Sequence, residues 1–101
     1  MSFATTLQDQ SAVIRMPARF DYHLSHDFRR TVGDLIGRGE GNEIVVDFTS
    51  TAYLDSAGLG LLLVLRDSAR NAGKPVVLSR ATGHVKKVLE TAHFGKLFQF
   101  R

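Results

Sequence analysis

Asp55-Ser56 stands directly before the apolar run Leu59, Leu61, Leu62, Leu63, Val64 and Leu65, and it is the pair in this chain best placed to do chemistry. Aspartate and serine are favoured N-caps, because their side-chain oxygens accept hydrogen bonds from the unpaired amides of a first helical turn. The expected result is a hydroxyl at the positive end of a largely buried helix. A phosphoryl group on that hydroxyl would bring about 1.5 to 2 negative charges at neutral pH. Helix amides and the macrodipole both favour an anion at such a place. Capping by itself also accounts for the pair, so the residues alone leave both readings open. Gly58 and Gly60 each lower helix propensity by roughly 1 kcal/mol relative to alanine. That cost predicts another backbone lying close to the first turns.

Other arrangements offer less. A serine hydrolase needs a base within reach of its nucleophile and an oxyanion hole. Ser56 lacks the Gly-x-Ser-x-Gly elbow, and no histidine is placed beside it by sequence. Gly58-Leu59-Gly60 is part of a Gly-x-Gly-x-x-Gly fingerprint, but Leu63 holds the third glycine position, and no Gly-Lys-Ser/Thr loop occurs. His23, His26 and Asp27 fall at i, i+3 and i+4, a spacing that metal sites can use. A polar helix face opposite Leu24 and Phe28 is the plainer account. Lys86-Lys87 with Arg80 and Lys96 form a basic set, yet single-strand binders interleave aromatics for stacking and no clear platform accompanies these lysines. The expectation is therefore no catalytic residue, no metal or other cofactor, and no direct contact with nucleic acid.

The elements that must position Ser56 follow from periodicity. Ile44-Val45-Val46-Asp47-Phe48 is a β-branched and aromatic run typical of a buried strand, and Ala52-Tyr53-Leu54 continues it after Thr49-Ser50-Thr51. Upstream, Phe3 to Leu7 and Ala12 to Met16 alternate about a turn at Gln8-Asp9-Gln10-Ser11 and predict a hairpin. Asp21 can start a helix that carries Leu24, Phe28, Val32, Leu35 and Ile36 on one face, with Gly37, Gly39 and Gly41 as a loose exit. Downstream of the leucine helix, Asn71-Ala72-Gly73-Lys74-Pro75 is a stop signal. Val76-Val77-Leu78 reads as a strand. Thr82 can cap a third helix over Val85, Val88, Leu89 and Ala92 that Gly95 ends, and Leu97 to Phe100 forms a last strand. Strand-helix-strand order favours parallel pairing with the helices packed on the sheet.

A chain of 101 residues suits one domain, 1–101, with a single core. The absence of cysteine excludes a disulfide framework and thiolate metal sites. No apolar run approaches the ~20 residues that span a bilayer. The N-terminal MSFATTLQDQ lacks the pattern of a secretory signal. A cytoplasmic protein without membrane insertion is the expectation. The net charge of +3 is unevenly spread: residues 1–50 sum to −2, and residues 51–101 to +5. A polarised solvated surface is the plainer account of that asymmetry, and a partner with an acidic patch is the other.

Asp55-Ser56-Ala57-Gly58-Leu59-Gly60, preceded by Val45-Val46-Asp47 and followed by the leucine-rich helix, resembles the signature of STAS domains. Within that family it is most similar to the anti-sigma factor antagonists of bacterial partner-switching systems. The resemblance implies an α/β STAS fold: a mixed sheet of about four to five strands packed with three α-helices. This chain stops at Arg101 just after the last strand, and so is expected to lack the extra C-terminal helix that many members carry. It implies phosphorylation of Ser56 by an anti-sigma factor or related serine kinase, which binds the unmodified form and releases the modified one. A PP2C-type phosphatase would reset the switch. ATP and catalytic metal would belong to those enzymes. Asp21, Asp55, Ser56, Ala57, Gly58 and Gly60 match the family's switch and partner surface. Ala18 departs from the pattern, standing where members commonly have glycine. Arg19-Phe20-Asp21, His26 and Phe28-Arg29 resemble a proteobacterial subgroup associated with fused phosphatase response regulators. The alternative is a non-switching STAS subunit with a structural role in a larger assembly, lipid-transport or stressosome-like, in which Ser56 stays unmodified.

Overall fold

A computed structural model describes residues 3–101. Strands β1 (Ala4–Gln8) and β2 (Ser11–Arg15) pair antiparallel. Their turn is shorter than the predicted one: Asp9 and Gln10 alone make it, both at positive φ (48° and 69°). Two left-handed residues match the natural twist of paired strands, so the ladder runs to its limit. A short strand β3 (Arg19–Phe20) and a 3-10 turn (Tyr22–Leu24) precede helix α1 (Ser25–Arg38). Then come β4 (Glu43–Asp47), β5 (Tyr53–Leu54), α2 (Ser56–Asn71), β6 (Val76–Ser79), α3 (Gly83–Thr91), a second 3-10 turn (Phe94–Lys96) and β7 (Gln99–Phe100).

The main sheet runs β1-β2-β4-β6-β7, antiparallel at its first pair and parallel thereafter. Period-two alternation divides its side chains. Ala12, Ile14, Ile44, Val46, Val76 and Leu78 join one core with the apolar faces of all three helices, including Phe28, Val32, Leu62, Leu65, Val85 and Leu89. Val13, Val45 and Val77 point the other way and form a small cluster of their own. This is the expected mixed sheet of five strands with three α-helices.

Ile44 to Leu54 is not one interrupted strand. The Asp47 carboxylate accepts from both the amide and the hydroxyl of Thr49 and turns the chain out of β4. Tyr53–Leu54 then pairs with Arg19–Phe20 in a separate two-stranded sheet. Asp21 caps the 3-10 turn instead of α1, accepting from the His23 amide. The glycine exit is not loose either. Gly37 lies inside α1, and Gly39 closes that helix at φ 67°. At Gly41 (φ 80°) a Cβ would lie 2.8 Å from the Ala12 amide nitrogen. The last helix stops at Thr91 instead of running to Gly95, because His93 turns left-handed (φ 59°). That kink drives Phe94 and Phe98 into the core and shortens the final strand to two residues.

Candidate functional site

Helix α2 begins where the capping pair foretold. Asp55 has extended backbone (φ −108°, ψ −179°), and its Oδ1 accepts from the Gly58 amide at 2.8 Å. Its carbonyl accepts from Leu59 and closes the first turn. Ser56 is therefore the first helical residue, and its side chain is exposed. Asp55 satisfies the third helical amide, while those of Ser56 and Ala57 sit at the helix start without an intrahelical partner. A hydroxyl so placed is open to solvent, and the helix end beneath it tolerates negative charge.

The two glycines do different work. A Cβ on Gly58 would lie 2.6 Å from Leu54 Cδ1 and 2.9 Å from the Phe20 carbonyl oxygen, so the predicted close backbone is that of β3. At Gly60 a Cβ meets nothing within 4 Å. The close approach expected there does not occur among the described residues, and Gly60 leaves a bare exposed spot one turn beyond Ser56. Ala57 between them is half-buried.

The small β3–β5 sheet brings the two acidic residues together. Arg19 pairs with Tyr53 and Phe20 with Leu54, so Asp21 and Asp55 follow at corresponding places, each an N-cap. Neither is a free surface charge. The Asp21 side chain is only 7% exposed. It accepts from Arg19 Nε at 2.7 Å and from the His23 amide at 3.1 Å, with His23 Nδ1 at 3.3 Å. The Arg19 hydrogen bond, helped by His23, holds the Asp21 carboxyl below its usual range against the opposing effect of burial. The same bond, with the Asp21 charge and a smaller contribution from Asp55, raises Arg19 against the opposing effect of burial.

Arg19 also covers an aromatic plate. Its guanidinium carbon lies 4.1 Å from the Tyr53 ring centre, and Tyr53 stacks on His84 from α3 at 5.5 Å and 8°. Tyr22, 62% exposed, packs on His23 beside it. Arg19, Tyr53, Tyr22 and His84 were missed as site residues. The first two carry a signal in hindsight, since Arg19-Phe20-Asp21 and Tyr53-Leu54-Asp55 share the spacing of a large flat group two residues before a capping aspartate. Nothing local marks Tyr22 or His84. The trio His23, His26 and Asp27 does not share one α-helical face: α1 starts at Ser25, and His23 turns toward Asp21. Among the described residues no three His, Asp or Glu side chains are grouped as a metal site would need.

The family model described as "Mlab, STAS domain" matches residues 3–99. The chain belongs to the STAS family. A STAS-domain containing protein of Pseudomonas aeruginosa is 33% identical to it over 90 residues, covering 89% of this chain and 87% of that one. The fold recurs in a candidate anti-sigma factor antagonist of Thermotoga maritima, with a TM-score of 0.84 at 21% identity over 97% of this chain and 84% of that one. It recurs also in the Bacillus anti-sigma factor antagonist SpoIIAA in its unphosphorylated form, with a TM-score of 0.74 at 22% identity over 98% of this chain and 86% of that one. At such identities the likeness concerns the fold of this STAS domain. No helix among its described residues is long and apolar enough to cross a membrane.

Proposed function

We propose that this STAS domain is a protein-binding module, without enzymatic activity of its own, switched by phosphorylation of Ser56 in a bacterial partner-switching system. The observation that carries the reading is the exposed Ser56 hydroxyl as the first residue of α2, on a helix start anchored by Asp55 and by the Gly58 contact with β3. Unmodified, the surface of Ser56, Ala57 and Gly60 beside the Arg19–Tyr53 plate docks an anti-sigma factor or related serine kinase in the cytoplasm. Phosphorylated, it presents a charge that the helix tolerates but that a tight interface must strip of water. An unpaired buried charge costs several kcal/mol, or orders of magnitude in affinity. A PP2C-type phosphatase restores the docking form. The SpoIIAA fold has been solved in both phosphorylated and unphosphorylated forms, which supports the compatibility of this scaffold with such a modification.

The deciding experiment isolates the partner by pull-down from the native cells and titrates it calorimetrically with unmodified and Ser56-phosphorylated protein. Affinity lower by about tenfold or more for the phosphorylated form is expected, and equal affinity ends the proposal. The alternative, a fixed structural subunit of a larger assembly, draws support from the "Mlab" description of the matching family model. Stable co-purification with a large complex, with Ser56 unmodified in cells, would favour it.

A further inference from the structure

The switch surface leaves the basic half of the chain without a role, and the structure concentrates that charge at one place. Strand β7 forms a free edge of the main sheet. On one side of it lies a cleft of about 500 Å³ lined by Arg66, Arg70, Lys74 and Lys96 with Leu97 and Gln99. On the other lies one of about 400 Å³ lined by Lys86, Lys96, His93 and Phe100, with Glu90 the only carboxylate in either lining. None of the five lysines and arginines forms a salt bridge among the described residues. Arg66 and Lys74 are steadied by neutral acceptors, the carbonyls of Leu97 and Glu40, so their charge is held in place without being cancelled.

The edge also offers main-chain and apolar contacts. Arg101 donates to the Leu78 carbonyl and accepts from the Arg80 amide, so its peptide groups face β6. Alternation along the strand then turns the N–H and C=O of Phe100 outward, where an added strand can pair. Leu97 (39% exposed) and Phe100 (43%) stand bare between the cations. We propose that this edge is a second docking site, separate from Ser56, for an extended acidic polypeptide segment with interspersed apolar residues. Carboxylates would meet the flanking cations, the Phe100 peptide groups would set strand direction, and apolar side chains would cover Leu97 and Phe100. Main-chain pairing with pockets for alternate side chains is a general mode of peptide recognition. A single-stranded nucleic acid fits less well, because it wants a run of exposed aromatics for successive bases, and the two linings expose only the Phe100 ring and the His93 imidazole.

The test titrates the full chain with a short blocked peptide of alternating glutamate and valine. A version with lysine for glutamate and an oligothymidylate of matched charge serve as comparisons. The glutamate peptide should bind, with a shift of the Phe100 amide resonance. The variant Arg70→Glu/Lys86→Glu/Lys96→Glu, at side chains without a hydrogen-bonded partner among the described residues, should keep its melting curve and lose about tenfold or more in affinity. Replacing the same three residues by glutamine should give an intermediate loss and covers the case in which charge reversal disturbs folding. Absence of binding, unchanged affinity in both variants, an unmoved Phe100 amide, or tighter binding of the oligothymidylate would each overturn the proposal.

Discussion

Asp55 and Ser56 are neighbours with separable jobs. Asp55 holds the Gly58 amide, so Asp55→Ala should lower stability by about 0.5–2 kcal/mol in chemical denaturation, as loss of a cap does. The exposed Ser56 hydroxyl makes no hydrogen bond among the described residues, and an acid in the first helical turn is favoured by the dipole. Ser56→Asp should therefore leave the melting temperature nearly unchanged while weakening partner binding, and Ser56→Ala should bind but take up no phosphate. A large drop in melting temperature for Ser56→Asp would mean that the hydroxyl is structural. The capping pair was legible because N-capping is local chemistry. The plate of Arg19, Tyr53 and His84 was not, since its members come from three elements far apart in sequence.

At the scale of elements, α2 ties the site to the core. Leu62 is fully buried, so Leu62→Ala should cost about 2–5 kcal/mol by denaturant titration. A change under about 1 kcal/mol would contradict its packing against the sheet. The glycines allow a sharper comparison within one helix. Gly58→Ala must push aside Leu54 or the Phe20 carbonyl, and overpacking of this kind costs about 1–3 kcal/mol. Gly60→Ala meets open space and should stabilise by roughly 0.5–1 kcal/mol through helix propensity. The two substitutions should thus shift the denaturation midpoint in opposite directions. If Gly60→Ala also weakened partner binding while raising stability, the bare spot beside Ser56 would be marked as a place of partner contact.

Across the whole molecule, two lowered carboxylates make stability depend on pH. Asp21 is held down chiefly by its Arg19 hydrogen bond. Glu43 is held down first by Arg101 and then by the Ser11 hydroxyl, a bridge that ties β2 and β4 to the chain end beyond β7. A carboxyl with a lowered folded pKa binds its proton less readily folded than unfolded. Its stabilisation is present above the ordinary carboxylate range of about 4 and is lost as pH falls through the folded value. Melting temperature should be flat from pH 7 to about 5 and fall below about 4. Asp21→Asn and Glu43→Gln should each flatten the acid limb, and an unchanged limb in both would show that these pairs do not govern it.

By itself the sequence determined the class of fold, three helices in nearly their final places, and the serine at the start of the second. Each of those rests on local periodicity, capping oxygens or stop residues, which act within a few positions of the chain. Tertiary structure decided the rest. It split Ile44 to Leu54 between two sheets, because the Asp47–Thr49 turn leaves Tyr53–Leu54 free to pair with Arg19–Phe20. It took Asp21 off the surface by giving its carboxylate Arg19 and His23 as partners. It separated Gly58 from Gly60 by placing a carbonyl against one and, among the described residues, no atom within 4 Å of a Cβ on the other. It also gathered scattered lysines and arginines at the β7 edge. Those outcomes depend on which distant backbone lies beside a residue, and long-range pairing fixes that where local propensity does not.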